Sequence, residues 1–160
     1  MKILCVSDYK DPLVYSSNVK SRYSGVNLVL GAGDLDLDYY GFIVSSLNKP
    51  LLFIFGNHNL ARIGEYTREF SGYNDELKYE REINKPAYGA TYIGGKVVTI
   101  GGVIFAGLGG TKRYNRGINQ YTEFGMFCSI LKLLPKLIFN KIFHGRYLDI
   151  LLTHAPPEGI

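Results

Sequence analysis

The sequence predicts an α/β fold built on a parallel sheet, and three observations carry that prediction. Short apolar runs recur from the N-terminus, each run ends in a polar or glycine turn, and the stretches between them have the length and mixed polarity of covering helices. The runs are residues 1–7 (MKILCVS), 27–30 (NLVL, leading into GAGD) and 50–55 (PLLFIF, leading into GNHN). Residues 14–24 (VYSSNVKSRYS) and 39–48 (YYGFIVSSLN) read as the intervening helices. The resulting order is βαβαβ, which requires crossovers and therefore parallel strands.

Beyond the third strand the text changes character. Residues 63–85 are polar and charged with scattered tyrosines, and read as a helical or irregular excursion over the surface. From Ala90 the run ATYIGGKVVTIGGVIFAGLGG has apolar segments separated by Gly94-Gly95 and Gly101-Gly102, the spacing of tight hairpins, so an antiparallel meander is expected. A polar and aromatic loop (TKRYNRGINQYTEFG) follows, then an amphipathic helix kinked at Pro135, then a last strand at residues 149–153 (DILLT) ending at His154. No repeat, linker or low-complexity stretch interrupts the chain, so residues 1–160 are expected to form a single domain.

Composition narrows the class. A chain of 160 residues that is 46% hydrophobic and 14% aromatic buries a real core, which excludes disorder. Eighteen Lys and Arg against 14 Asp and Glu leave a net charge of +4, suited to an anionic substrate but not gathered into a basic arm. Nucleic-acid binding is permitted by that charge and not indicated by it. Cys5 and Cys128 lie in apolar contexts (ILCV and MFCSIL), which reads as two buried thiols in a reducing cytoplasm. The N-terminal MKILCVSD is too short for the apolar region of a signal peptide, so a cytoplasmic location is expected. Residues 127–143 are broken by Lys132, Pro135, Lys136 and Lys141 and fall short of the roughly 20 apolar residues of a membrane span, so no membrane partner is expected. The lysines read as the solvated face of a helix.

The residues with chemistry to offer stand just past strand ends, where loops of an open α/β sheet gather to bind ligands. Asp8 follows the first strand, Asp34 the second, Asn57 and His58 the third and His154 the last, at separations of 26, 23 and 97 residues between Asp8, Asp34, Asn57 and His154. Carboxylate, amide oxygen and imidazole together suit a divalent ion such as Mn, Fe, Zn, Ni or Mg, and the mixture favours hydrolysis over redox chemistry. A carboxylate such as Asp34 is also able to bridge two ions about 3.5–4 Å apart, the separation used in phosphoryl transfer. Asp36 and Asp38 read as caps of the following helix. GAGD and GLGG lack the spacing and the Lys-Ser/Thr of a P-loop, and their glycines read as tight exits from strands. Arg113 and Tyr114 are candidate substrate contacts, since a guanidinium grips phosphate in bidentate fashion.

These blocks resemble the calcineurin-like metallophosphoesterases. SDYK stands where that family has D-x-H, GDLDLD where it has GD and an acidic residue, GNHN where it has GNH followed by Asp or Glu, and THAPP forms a fourth block. GLGGTKRYN and QYTE are similar to a subgroup of those enzymes. The resemblance implies a four-layer αββα sandwich of mixed β-sheets. It implies that Asp34 bridges two metals, Asp8 binds the first, and Asn57 and His154 bind the second. It further implies that His58 serves the leaving oxygen while metal-bound hydroxide attacks the phosphorus of a phosphomonoester or phosphodiester, in a phosphorylated small molecule or nucleotide.

Three departures qualify the likeness. Asn59 occupies the place of a carboxylate that would support His58. Lys10 occupies the place of a histidine ligand, and a charged ammonium does not coordinate a metal. Lys10 therefore either replaces the first ion, bridging Asp8 and Asp34, or swings outward and leaves an incomplete first site. The expected GHxH block is missing before Ile160, so the chain reads as truncated at its C-terminus with one ligand short at each metal, and His144 reads as a helix-end residue. The last strand is then an edge open to pairing with a second copy. Two readings follow: a metal-dependent phosphoesterase, or a catalytically impaired relative kept for binding or assembly. A nucleic-acid-binding module rests on charge alone.

Overall fold

A computed structural model describes residues 1–66 and 89–156 of the chain. The first sheet contains β1 (Ile3–Val6), β2 (Leu28–Gly31), β3 (Leu51–Phe53) and β4 (Ala90–Tyr92), all parallel and in that order across the sheet. The second contains β5 (Val97–Ile100), β6 (Val103–Leu108) and β9 (Ile150–Thr153), with β5 antiparallel and β9 parallel to β6. Between β6 and β9 a small parallel pair forms from β7 (Thr111–Lys112) and β8 (Gln120–Tyr121).

Three hydrophobic layers join these elements into the expected αββα sandwich. Helices α1 (Val19–Arg22) and α2 (Leu37–Leu47) cover one face of the first sheet, where Ile43, Tyr39 and Tyr40 meet Val29, Leu51 and Phe53. Alternate residues of the same strands point the other way: Leu28, Leu30, Leu52 and Ile54 pack on Phe105 and Leu152 between the sheets. Strands buried on both faces need apolar residues in continuous runs, which is the pattern of NLVL and PLLFIF. On the outer face of the second sheet, Ala106 and Leu108 pack against Leu133 of α3 (Glu123–His144).

Several local expectations are corrected. The helix expected over residues 14–24 is reduced to the four residues of α1. The Asp11 carboxylate accepts from the Leu13 N–H and the Ser16 hydroxyl donates to the Leu13 carbonyl, so side chains hold this stretch in turns that compete with a helix. The meander is only one hairpin. Gly101 and Gly102 make its turn with left-handed φ values of 56° and 79°, whereas β4 joins β3 in the first sheet and the chain crosses to the second sheet at Gly94-Gly95. Neither cysteine is fully buried: Cys5 is exposed and Cys128 half-buried, and both are free thiols. Cys5 shares its side of β1 with Ile3, and β1 is an edge strand, so the second sheet leaves it uncovered among the described residues. Partial burial still raises the Cys5 thiol pKa.

Two other expectations hold among the described residues: His144 lies at a helix end and the last strand is a sheet edge. The Thr122 hydroxyl caps α3 by accepting from the Gly125 N–H at 3.1 Å, Gly145 ends it in the left-handed region, and His144 lies in its last turn. Strand β9 is an edge of its sheet. No described helix is long and apolar enough to cross a membrane. Most of the expected excursion at residues 63–85 lies outside the described residues; within them, Ile63–Glu65 forms one 3-10 turn.

Phe105, wholly buried between the sheets, tests whether this contact is structural. Phe105→Ala should lower the unfolding free energy by about 3–5 kcal/mol in urea denaturation. A loss below about 1 kcal/mol would mean that the sheets do not depend on one another for stability.

Candidate metal centre

The strand ends are level because the registers align them: Val6 pairs with Gly31, and Gly31 with Phe53. Loops leaving β1, β2 and β3 therefore emerge side by side, and β9 delivers His154 from the second sheet. One potential ligand atom from each of Asp8, Asp34 and His154 lies within 4.8 Å of the others. Asp34 and His154 are nearly buried, while Asp8 is exposed. The site thus spans the carboxyl edges of both sheets.

Hydrogen bonds orient the donors. His154 Nδ1 lies 2.8 Å from the Ala32 carbonyl oxygen, which requires a proton on Nδ1 and presents Nε2 as a lone pair in the neutral ring. Nε2 stands 3.4 Å from Asp34 Oδ2. Asp34 Oδ1 accepts from the His58 N–H at 2.8 Å, and the Asn59 side-chain amide donates to the Asp34 carbonyl at 2.9 Å. The GNHN loop accordingly wraps Asp34 and leaves Oδ2 directed at His154. Asp8 and Asp34 both adopt left-handed φ values, 58° and 59°, and the Asp8 N–H donates to the Gly33 carbonyl at 3.1 Å. Short polar residues tolerate that conformation better than bulky ones.

Gly56 is the residue on which this approach depends. A Cβ placed there would run into Asp34 Oδ1 and meet His154 Cε1 at 2.7 Å, so no larger residue fits without moving the donors.

The remaining candidate residues fall into place unequally. Asn57 donates through Nδ2 to the Tyr114 hydroxyl at 2.8 Å, so its amide oxygen is not used in that bond. Tyr114 is thereby tied to the GNHN loop. Arg113 is exposed; its backbone N–H donates to the Tyr121 carbonyl, and no described contact links its guanidinium to these residues. His58 is exposed, and only its backbone N–H is seen to contact the cluster, at Asp34. Asn59 is committed to the Asp34 backbone and so does not stand in for a carboxylate behind His58.

Lys10 takes the outward course. Its ammonium pairs with Asp36 at 2.7 Å, and both side chains are about half exposed. The hydrogen bond to Asp36 raises the Lys10 pKa, so it stays charged, yet its charge is spent on Asp36. Asp36 occupies the N-cap position of α2 without a side-chain capping bond, contrary to the capping role expected of it, because its carboxylate is turned to Lys10. Asp38 lies in the first turn of α2, where a carboxylate suits the helix dipole.

Asn119 is a residue the sequence did not single out. Buried and left-handed at φ 57°, it donates from Nδ2 to the carbonyls of Phe55 (3.2 Å) and Gly56 (2.5 Å) and accepts from the Tyr121 hydroxyl (2.8 Å). It fixes the GNHN loop from behind. Its only signal in sequence is a polar residue before QYTE, and loops contain many of those. Tyr40, whose ring lies against Gly31, has its hydroxyl buried near the Gly33 backbone without a well-aligned hydrogen bond, and burial raises its pKa.

The family model for calcineurin-like phosphoesterases matches residues 1–160, and the chain belongs to that family. Members of it carry out metal-dependent phosphoester hydrolysis in general terms. No curated protein matches the chain.

Two substitutions test this geometry. Lys10→Met should change stability by less than about 1 kcal/mol in thermal or urea unfolding, because the pair it breaks is half-exposed. A several-fold larger loss would mean that Lys10 holds the acidic site together. Gly56→Ala should abolish tight Mn binding in calorimetry, whereas a variant that binds Mn as wild type does would show the donors to be free to move apart.

Proposed function

We propose that the chain is a metal-dependent phosphoesterase acting on a phosphomonoester or phosphodiester, with one divalent ion held by Asp8, Asp34, His154 and the Asn57 amide oxygen. One observation carries the reading. His154 Nε2 and Asp34 Oδ2 approach to 3.4 Å while His154 keeps its ring proton on the side facing Ala32. In the neutral ring two lone-pair donors then face each other, and a cation between them supplies what neither can. A metal-binding histidine that gives its other N–H to a backbone carbonyl is the usual arrangement of such sites.

The donor set suits Mn, Fe, Zn, Ni or Mg without choosing among them. A divalent ion held there would supply Lewis acidity toward the phosphoryl group and activate water for attack. The chain's own residues divide the remaining work. His58, exposed in the loop that binds Asp34, would give a proton or hydrogen bond to the leaving oxygen. Because Asn59 is engaged with the Asp34 backbone, His58 does this without a carboxylate from position 59 behind it. Tyr114, anchored to Asn57, sets one wall of the substrate site, and Arg113 one residue away would reach a phosphate only by reorienting. The substrate class is a phosphorylated small molecule or nucleotide. A cytoplasmic setting, which keeps Cys5 and Cys128 reduced, belongs to the same proposal.

A second reading has a specific observation in its favour. Lys10 replaces an imidazole ligand and pairs away from the site, so the first of the family's two metal positions lacks that donor here. On that reading the chain turns over no substrate and serves as a binding or assembly protein.

Hydrolysis of an activated phosphodiester and of an activated phosphomonoester with Mn separates the two. Asp34→Asn should eliminate both binding and turnover. His58→Ala should keep Mn binding and lose at least ~100-fold in kcat. No turnover above the His58→Ala level would favour the second reading, and no Mn binding at all would remove the first.

A further inference from the structure

Helix α3 presents an apolar stripe to solvent. Phe124, Phe127, Leu131, Leu134, Ile138 and Ile142 follow one another at intervals of 3, 4, 3, 4 and 4 residues, and all are between 39% and 75% exposed. Only Leu133 and Asn140 of the 22 helical residues are buried, since α3 rests on the second sheet by a narrow line of contacts through Leu133 and Leu137. With Phe139 and Phe143 beside it, the stripe offers roughly 900 Å² of apolar surface, taking ~200 Å² for each fully exposed side chain of this size. A monomer seldom exposes more than a few hundred contiguous Å². About 800 Å² per partner is what a standard interface buries.

The alternating 3 and 4 spacing is the seam of paired helices, and it reads nearly the same in both directions. We propose that two copies of this chain pair through α3 in antiparallel fashion about a two-fold axis between Leu131 and Leu134. That register sets Leu131 against the partner subunit's Leu134, Phe127 against the partner subunit's Ile138, and Phe124 against the turn containing the partner subunit's Lys141 and Ile142. An isologous contact of this kind closes on itself.

Charge favours the same occupant. Glu123 and Lys141 are 18 residues apart, five full helical turns, so they lie on the same flank of the stripe. Antiparallel pairing brings Glu123 of each copy, which pairs with Lys112 of its own chain at 2.9 Å, beside Lys141 of the other, which donates to its own Gly145 carbonyl at 3.0 Å, so opposite charges meet at the two ends of the seam. The other lysines are held clear of it: Lys136 Nζ lies over the Phe139 ring at 4.9 Å, and Lys132 lines the cleft on the far flank with Tyr121 and Ser129. This contact is distinct from edge-to-edge pairing through β9.

Sedimentation equilibrium of the full 160-residue chain in reducing buffer tests the pairing. The wild type should be a dimer. Leu134→Glu should weaken it at least ~10-fold with an unchanged far-ultraviolet circular dichroism spectrum, since two carboxylates would meet near the axis. Glu123→Lys, which also breaks the pair with Lys112, and Lys141→Glu should each weaken it about fivefold, and the two together should recover most of that loss, because the contacts between subunits are reversed rather than lost. A monomer at every soluble concentration would overturn the proposal, as would a dimer indifferent to Leu134→Glu. A monomer that floats with phosphatidylserine vesicles would also overturn it and assign the stripe to a lipid surface.

Discussion

Everything at the candidate centre depends on one hydrogen bond, from His154 Nδ1–H to the Ala32 carbonyl. It fixes which ring nitrogen faces Asp34, and it joins two loops 122 residues apart in sequence. Ala32 follows β2 in the first sheet and His154 follows β9 in the second, so the bond exists only if the sheets are packed at the correct offset. Packing supplies that offset through Leu30, Leu52, Phe105 and Leu152. Stability and site geometry are therefore one problem: the inter-sheet core sets where His154 arrives, and the hydrogen bond sets how it points.

The GNHN loop solves the complementary problem of holding a nearly buried carboxylate in one orientation. Asp34 is gripped at its Oδ1 by the His58 N–H and at its backbone carbonyl by Asn59, while Asn119 braces the same loop from behind through Phe55 and Gly56. A carboxylate that accepts a backbone N–H in a poorly hydrated place is oriented before any ion arrives. Lys10 makes the opposite contribution. By pairing with Asp36 it leaves the charge of Asp8 to the site, at the cost of a capping contact for α2.

Much of this was legible in the sequence because it depends on local rules. Uninterrupted apolar runs such as NLVL and PLLFIF identify doubly covered strands, and Asp8, Asp34 and His154, which lie together, stand just beyond strand ends, where the topology gathers loops. The rest depended on contacts between distant segments. Whether Gly94-Gly95 turns a hairpin or crosses between sheets is decided by where β3 has room for a partner. Asn119 acquires its role only once β7 and β8 fold over the GNHN loop. The two courses open to Lys10 differ by rotations of one flexible side chain, and the nearby Asp36 decides between them. The shortening of α1 was written in Asp11 and Ser16, but competition between a turn and a four-residue helix is too close for pattern to resolve.

The most direct test of the central claim is anomalous diffraction from crystals of the full chain grown with Mn. A single peak within coordination distance of both Asp34 Oδ2 and His154 Nε2 is expected, with an Asp8 carboxylate oxygen drawn toward it and Nδ1 still bonded to Ala32. The account would be contradicted by no peak at this position, or by a peak bound through Nδ1 of a reversed His154 ring.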